Sequence, residues 1–241
     1  MKRVVVLVDG QNLYYTLKDL SLIEKDIKWN DFFNHLLEPE DELIRAYWFR
    51  AQRILDTHYT HQHIEKFIIR RQFKSHYENY KNNKSAIPKD ILERINREIA
   101  IVEDWLKKEK TRFSNIEFNY DQICLENTSI EIVKKGVLKI NPYTQGYIGE
   151  KGVDIALAVK MISLSVEKKC DKIILVSGDY DYAEAIQYVK NNMTKIHIVK
   201  IHKGIPPRNQ SVSRDLAVLA DRVINIYESE IKDNFVKQSQ K

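Results

Sequence analysis

Three short segments, far apart in the chain, set aspartate beside glycine where an apolar run meets a helix-like pattern. They are Val4-Val5-Val6-Leu7-Val8-Asp9-Gly10-Gln11-Asn12, Lys151-Gly152-Val153-Asp154 and Ile173-Ile174-Leu175-Val176-Ser177-Gly178-Asp179-Tyr180-Asp181. The chain has only 7 glycines, and Gly10, Gly152 and Gly178 all fall in these segments. A buried strand that ends in an acidic turn presents its carboxylate at the carboxyl edge of the sheet, where open α/β folds place their ligands. Asp9 follows such a strand directly, and Asn12 lies one helical turn on, so both side chains can face one site. Asp179 follows a second such strand, with Asp181 two residues later. Asp154 opens a helix, whose positive dipole end favours an anion. Carboxylates gathered at one edge repel one another unless a cation or protons neutralise them. Oxygen donors without histidine or thiolate select Mg²⁺ or Mn²⁺ over zinc. The chemistry this points to is phosphodiester cleavage by a metal-activated water.

Each aspartate has a simpler explanation, since aspartate at a helix start is first of all a capping residue. Capping accounts for one aspartate per helix start, whereas Asp179 and Asp181 supply two within one turn. Ser177 has two readings of equal standing: a hydrogen-bond partner of Asp9 or Asp179, or a small residue required at a tight strand end.

The elements that must position these residues alternate. Residues 3–8, 43–49, 172–176 and 195–201 read as strands, the first and third apolar enough to be buried on both faces. Helical spacing runs over 12–20, with Leu13, Leu17 and Leu20 on one stripe, and over 153–166 through Ile155, Ala158, Ile162 and Val166. Further helices are expected over 182–191 and 213–227. The alternation implies a doubly wound α/β sheet. Between residues 50 and 150 it breaks: 60–80 and 88–110 read as helices, while 115–140 looks strand-rich, with Lys134-Lys135-Gly136 as a hairpin turn. The expected organisation is a single domain over 1–241, with its core in 1–55 and 150–228, an insertion over 56–149, and a frayed tail over 229–241.

At 241 residues, 43% hydrophobic and 30% charged, the composition is that of a globular protein. Its mean hydropathy is −0.46. No apolar run is long enough to span a bilayer, and the one behind Met1-Lys2-Arg3 reaches Asp9 too soon to be a signal peptide. Two cysteines, Cys124 and Cys170, form neither a metal spacing nor a disulfide framework, which suits a reducing cytoplasm. The net charge of +5 is modest, so partners must be argued from where the charges lie. Lys66, Arg70, Arg71 and Lys74 recur at helical spacing, interleaved with Phe67, Phe73, Tyr77 and Tyr80. Cations among aromatics suit single-stranded RNA through phosphate contacts and base stacking. The alternative is an amphipathic helix whose aromatics are core and whose charges are solvated. Lys81, Lys84, Arg208 and Arg214 extend the same field, and the alternative path for RNA runs near Lys151, Lys160, Arg208 and Arg214. The cluster His58, His61 and His63 has no acid or cysteine at zinc-like spacing beyond Asp56, and reads as surface.

Taken together, Val-Asp-Gly-Gln-Asn-Leu, Lys-Gly-Val-Asp-Ile-Ala-Leu and Val-Ser-Gly-Asp-Tyr-Asp-Tyr resemble the three motifs of NYN domains, the LabA-like branch of the PIN-like nuclease superfamily. The segment Leu216-Ala217-Val218-Leu219-Ala220-Asp221 resembles that branch's closing helix, while the middle of the chain has no counterpart. The resemblance implies a PIN-like three-layer α/β/α sandwich that binds Mg²⁺ or Mn²⁺ and hydrolyses RNA. It implies Asp9, Asp154, Asp179 and Asp181 as the acidic metal-binding and catalytic set, with Asn12 as a polar helper. Lys160 departs from the pattern, standing where such proteins often carry another aspartate; it would contact substrate phosphate or mark weaker activity. A haloacid-type phosphatase needs Asp-x-Asp immediately after the first strand, and a Toprim site needs a glutamate after an early strand; neither is present. The remaining alternative is an RNA-binding or regulatory module of the same fold that no longer cleaves. The insertion is also where a protein partner or a second copy would dock.

Overall fold

The computed structural model describes residues 1–208 and 212–237. Along the first part of the chain lie β1 (Lys2–Asp9), α1 (Gly10–Asp19), α2 (Trp29–His35), β2 (Asp41–Arg50), β3 (Arg53–Leu55), α3 (His61–Gln72), α4 (Tyr77–Asn82) and α5 (Lys89–Glu126). Then follow β4 (Ile130–Lys134), β5 (Val137–Asn141), β6 (Gly146–Lys151), α6 (Val153–Val166), β7 (Lys172–Val176), α7 (Ala183–Asn191), β8 (Lys195–His202), α8 (Arg214–Leu219) and β9 (Arg222–Tyr227). They gather into two compact units. The first holds Met1–Gln52, Phe118–Gly136 and the chain from Gly152 onward; the second holds Arg53–Glu117 and Val137–Lys151.

The first unit is built on a six-stranded sheet of order β4-β2-β1-β7-β8-β9. Every pairing in it is parallel. Helices flank it, giving the three-layer α/β/α sandwich of PIN-like proteins. Val4 to Val8 are at most 2% exposed, as a strand covered on both faces must be. From β1 the chain builds outward through β2 to β4, then returns to place β7, β8 and β9 on the other side. The order therefore reverses between β1 and β7, and their carboxyl ends flank the crevice where such sheets hold ligands.

At the amino end of the same strands the chain buries a cation. Lys172, 1% exposed, places its Nζ 2.6 Å from Asp41 Oδ2 and 2.5 Å from Glu38 Oε2. Arg222 holds the other Glu38 oxygen at 2.5 Å. A buried ammonium is tolerated because two carboxylates match it.

The second unit has its own core, in which Ile64, Ile68 and Ile69 of α3 join Ile95, Ile99, Val102 and Leu106 of α5 and Ile140 of β5. Its small sheet has the order β3-β5-β6, parallel then antiparallel.

Several expectations are corrected. The helix expected to end near residue 110 runs to Glu126, because Phe113, Ile116, Tyr120 and Ile123 recur every three or four residues and are buried or half-buried. Lys134-Lys135-Gly136 is not a hairpin turn: Gly136, with φ of 70°, sends β4 to the large sheet and β5 to the small one. Residues 118–136, assigned to the insertion from sequence, belong to the first unit. The helix expected over 60–80 breaks at buried Phe73. The one expected over 213–227 stops at Leu219, because the β-branched residues of β9 pair with β8 instead. The stripe Ile155–Ala158–Ile162–Val166 is not the packed face of α6. Val153, Leu157, Met161 and Leu164 are buried, while Ile155 is 70% exposed. Nor is the tail frayed from residue 229: Ile231 and Phe235 are buried, and the Phe235 ring packs edge-on against Phe32. Of the expected tail, residues 238–241 lie outside the described residues. No helix among the described residues is long and apolar enough to cross a membrane.

Removing the buried ammonium while leaving Asp41 should be costly. Lys172→Met is expected to lower unfolding free energy by about 3–5 kcal/mol in denaturant titrations, and Lys172→Met/Asp41→Leu should recover most of it. The ion pairs to Lys172 and Arg222 depress the Glu38 carboxyl from 4.5 to about 2. Because the folded value lies below the unfolded one, its stabilisation is present above pH 4.5 and is lost as pH falls toward about 2. The stability gap between the parent and Glu38→Gln should close over that window.

Candidate active site at the carboxyl edge

The site begins with the register of two strands. Val8 pairs with Val176, so the next residues, Asp9 and Ser177, lie opposite one another at the sheet edge. Asp9 is extended (φ −79°, ψ 103°) and caps α1, its Oδ1 accepting from the Asn12 N–H at 3.0 Å. The helix can begin so abruptly only because residue 10 is glycine. A Cβ there would stand 2.5 Å from the Phe49 carbonyl oxygen and 2.9 Å from Trp48 Nε1. Ser177 Oγ donates to Asp9 Oδ2 at 3.0 Å and accepts from the Asp179 N–H at 3.2 Å. The Asn12 side-chain oxygen accepts from the Gly178 N–H at 3.3 Å, tying the turn after β7 to α1. Ser177 thus takes the first of its two expected roles, and Asn12 acts as a brace.

Asp154 arrives from a third segment. Gly152 adopts the left-handed conformation (φ 85°) before α6, where a side chain would be strained. Asp154 caps nothing there. Its Oδ1 lies 3.1 Å from the Tyr182 hydroxyl, and the same hydroxyl lies 3.2 Å from Asp9 Oδ2. A phenol has one hydrogen and can give it fully to one acceptor. The second carboxylate contact therefore calls for another proton or a cation.

The electrostatics agree with this count. Burial, foremost, pushes the Asp9 carboxyl above the ordinary range, and the Asp154 charge adds to it; hydrogen bonds from Asn12, Ser177 and Tyr182 oppose the rise. Asp154 is raised by burial and by the charges of Asp179 and Asp181, against its bond to Tyr182. Tyr182 lies far above the usual phenol value through burial and both carboxylates, and so keeps its proton.

Of the residues expected from sequence, Asp9, Asn12, Asp154 and Ser177 come together through direct or shared hydrogen bonds. Asp179 is half-buried, its Oδ1 accepting from the Asp181 N–H at 3.0 Å, and Asp181 is exposed. These two reach Asp154 through charge. Among the described residues no three Asp, Glu, His or Cys side chains converge as metal ligands. The donor set is nonetheless all oxygen and short of positive charge, which is the chemistry of a hard cation. The Lys160 ammonium lies 4.0 Å from the Tyr47 ring centroid. Lys66, Arg70, Arg71, Lys74 and Lys151 lie in the second unit. Tyr182 was missed from sequence. Its signal was its place one turn after Asp179, in an Asp-Tyr-Asp-Tyr run that was read only for its acids.

Asp154→Asn supplies a neutral partner for the shared hydroxyl and removes one member of a repelling pair. Its metal-free melting temperature at neutral pH should exceed the parent's by a few degrees, and the gain should shrink as pH falls and the parent's raised carboxyls take up protons. A lower melting temperature in calorimetry would mean that Asp154 stabilises the fold as an ionised partner.

The chain is similar to a Vibrio parahaemolyticus protein of unknown function whose crystal structure is known, at 16% identity over 93% of each chain with a TM-score of 0.47. No curated protein matches it. The model of the NYN domain matches residues 3–228, nearly the whole chain. The chain therefore belongs to the NYN-domain family, within the PIN-like nuclease superfamily, which associates it with nuclease-like, RNA-related function.

Proposed function

We propose that the carboxyl edge of the large sheet hydrolyses RNA phosphodiester bonds with Mg²⁺ or Mn²⁺ as cofactor, in the cytoplasm. The observation that carries this reading is the Asp9–Tyr182–Asp154 arrangement: two buried or half-buried carboxylates share one phenolic proton at the switch point of a parallel sheet. Such a pair draws in positive charge. Asp9, Asp154, Asp179 and Asp181 would hold the ion, which when bound polarises the phosphate and acidifies a water. Asn12 and Ser177 fix Asp9 and the turn carrying Asp179, so the acids are placed before substrate arrives. Tyr182 orients Asp9 and Asp154 toward each other and keeps bulk water from the inner face of the pair. Asp181, exposed beside Asp179, is placed to orient the attacking water.

A second reading is a catalytically weak or inactive RNA-binding module of the same fold. It is favoured by the absence, among the described residues, of three converged ligands, and by Lys160 in a position where the family often has an acid.

Cleavage assays separate the two. The parent is expected to cut single-stranded RNA with Mn²⁺ and to stop in excess EDTA. Asp9→Asn and Asp179→Asn should each lower the rate by at least about a hundredfold with the fold retained by circular dichroism. Cutting that survives in both variants and in EDTA would remove the metal-dependent reading. A parent that binds RNA but never cuts it would establish the second.

A further inference from the structure

The second unit presents a cationic face that the acidic edge does not use. On α3 the spacing His63, Lys66/Phe67, Arg70/Arg71 puts five side chains on one side of the helix, while Ile64, Ile68 and Ile69 go into the core. They line a shallow, open depression on the surface of α3. Lys74 follows just beyond the end of the helix and is exposed. Lys66, Arg70, Arg71 and Lys74 are exposed, and none of them forms an ion pair among the described residues. The one acid of α3, Glu65, is engaged by Tyr80 and Lys84.

The aromatic residues of this segment sort into two classes. Phe73 and Tyr80 are core. Phe67 is half-buried and stacks on Tyr143 from the β5–β6 hairpin, with ring centroids 3.7 Å apart and an interplanar angle of 22°. That stack backs the depression with a rigid, flat ring. The Arg71 guanidinium lies 5.6 Å from the Phe67 centroid and the Arg70 guanidinium 4.8 Å from that of Tyr77. A guanidinium over a ring keeps its in-plane N–H donors for a phosphate.

We propose that this face of α3 is a binding site for single-stranded RNA, in which a base takes the place of the Arg71 guanidinium on Phe67, opposite Tyr143, and adjacent phosphates lie on Lys66, Arg70, the released Arg71 and Lys74. The inference rests on the RNA reading above but assigns a separate site, one that binds and does not cleave. A solvated charge row needs no stacked ring behind it, and an acidic protein partner would use the cations but not the ring. The combination of clustered cations and a fixed π-face matches single-stranded nucleic acid, in which a base is free to leave its own stack.

The test is fluorescence anisotropy of a labelled 12-nucleotide oligoadenylate with the full chain in EDTA over a range of salt, with Mn²⁺-dependent cleavage followed in parallel. Arg70→Ala/Arg71→Ala is expected to weaken binding and to reduce the slope of log K against log salt by about 1.4, two phosphates at ~0.7 each. Phe67→Leu should weaken binding by about fivefold or more, the low end for loss of one base stack, with little change in salt slope. Arg70→Lys/Arg71→Lys should keep the parent slope, which guards against misfolding as the cause. Duplex RNA should bind less tightly than the single strand, and polyglutamate should compete poorly. Unchanged affinity and slope in the alanine variant would overturn the proposal, as would displacement by polyglutamate as effective as by RNA of equal charge. If the parent cleaves RNA and the α3 variants bind as it does, the proposal fails and the nuclease reading stands. Binding that depends on α3 without any cleavage leaves the proposal standing and removes the nuclease reading. A parent that binds no RNA in EDTA overturns the proposal, and one that also fails to cut with Mn²⁺ overturns both.

Discussion

One phenolic proton lies between two carboxylates at the carboxyl edge of the large sheet, and the local structure around it serves to keep it there. The parallel register of β1 and β7 sets Asp9 opposite Ser177. The absence of a side chain at Gly10 lets α1 start without a spacer, so Asp9 can cap the helix with one oxygen and face the site with the other. The left-handed turn at Gly152 delivers Asp154 from a third segment. Tyr182, 1% exposed, holds the two acids to a common point. Burial raises both acids, and the charges acting on Asp154 are further carboxylates, Asp179 and Asp181. Such an arrangement is built to take up positive charge.

The two ends of the sheet treat charge in opposite ways. At the amino end a buried lysine is matched inside the protein by Asp41 and Glu38. There Asp41 Oδ2 takes the Lys172 ammonium, while Asp41 Oδ1 is buried without a hydrogen-bond partner. At the carboxyl end the acids outnumber the proton they share, and the nearest cation of α6, Lys160, is placed over Tyr47. Stability is secured at one edge and an unsatisfied charge requirement is held at the other, the division expected when a fold carries a site on a rigid scaffold.

The legible part of the sequence was what short-range chemistry dictates. Continuous β-branched runs can only be strands covered on both faces, and they gave β1 and β7; the acids that follow them had to emerge at one edge. Asn12 and Ser177 were legible because their distances along the chain from Asp9 and Asp179 are short. Harder to read were segments whose pattern fits two solutions. The α6 helix is apolar on both sides, so Ile155, Ala158, Ile162 and Val166 formed as regular a stripe as the buried Val153, Leu157, Met161 and Leu164. Phe113, Ile116, Tyr120 and Ile123 stand three or four residues apart, as a helix requires, but they are β-branched and aromatic types that also suit a strand. Residues 222–227 became a strand because β8 offered an edge, a tertiary choice that local propensity does not contain. Tyr182 was hidden for a related reason, since a tyrosine among acids shows its role only when Asp9 and Asp154 are seen on either side of it.

The central claim is that the carboxylates at this edge hold a divalent cation. An anomalous difference map from crystals of the full chain soaked in Mn²⁺ tests it most directly. A peak is expected bonded to the carboxylates of Asp9 and Asp154, within the ~2.0–2.6 Å ligand distances of hard cations, with Asp179 or Asp181 drawn in as a further ligand. A map with no peak there, and Tyr182 still between two carboxyls that share protons, would contradict it.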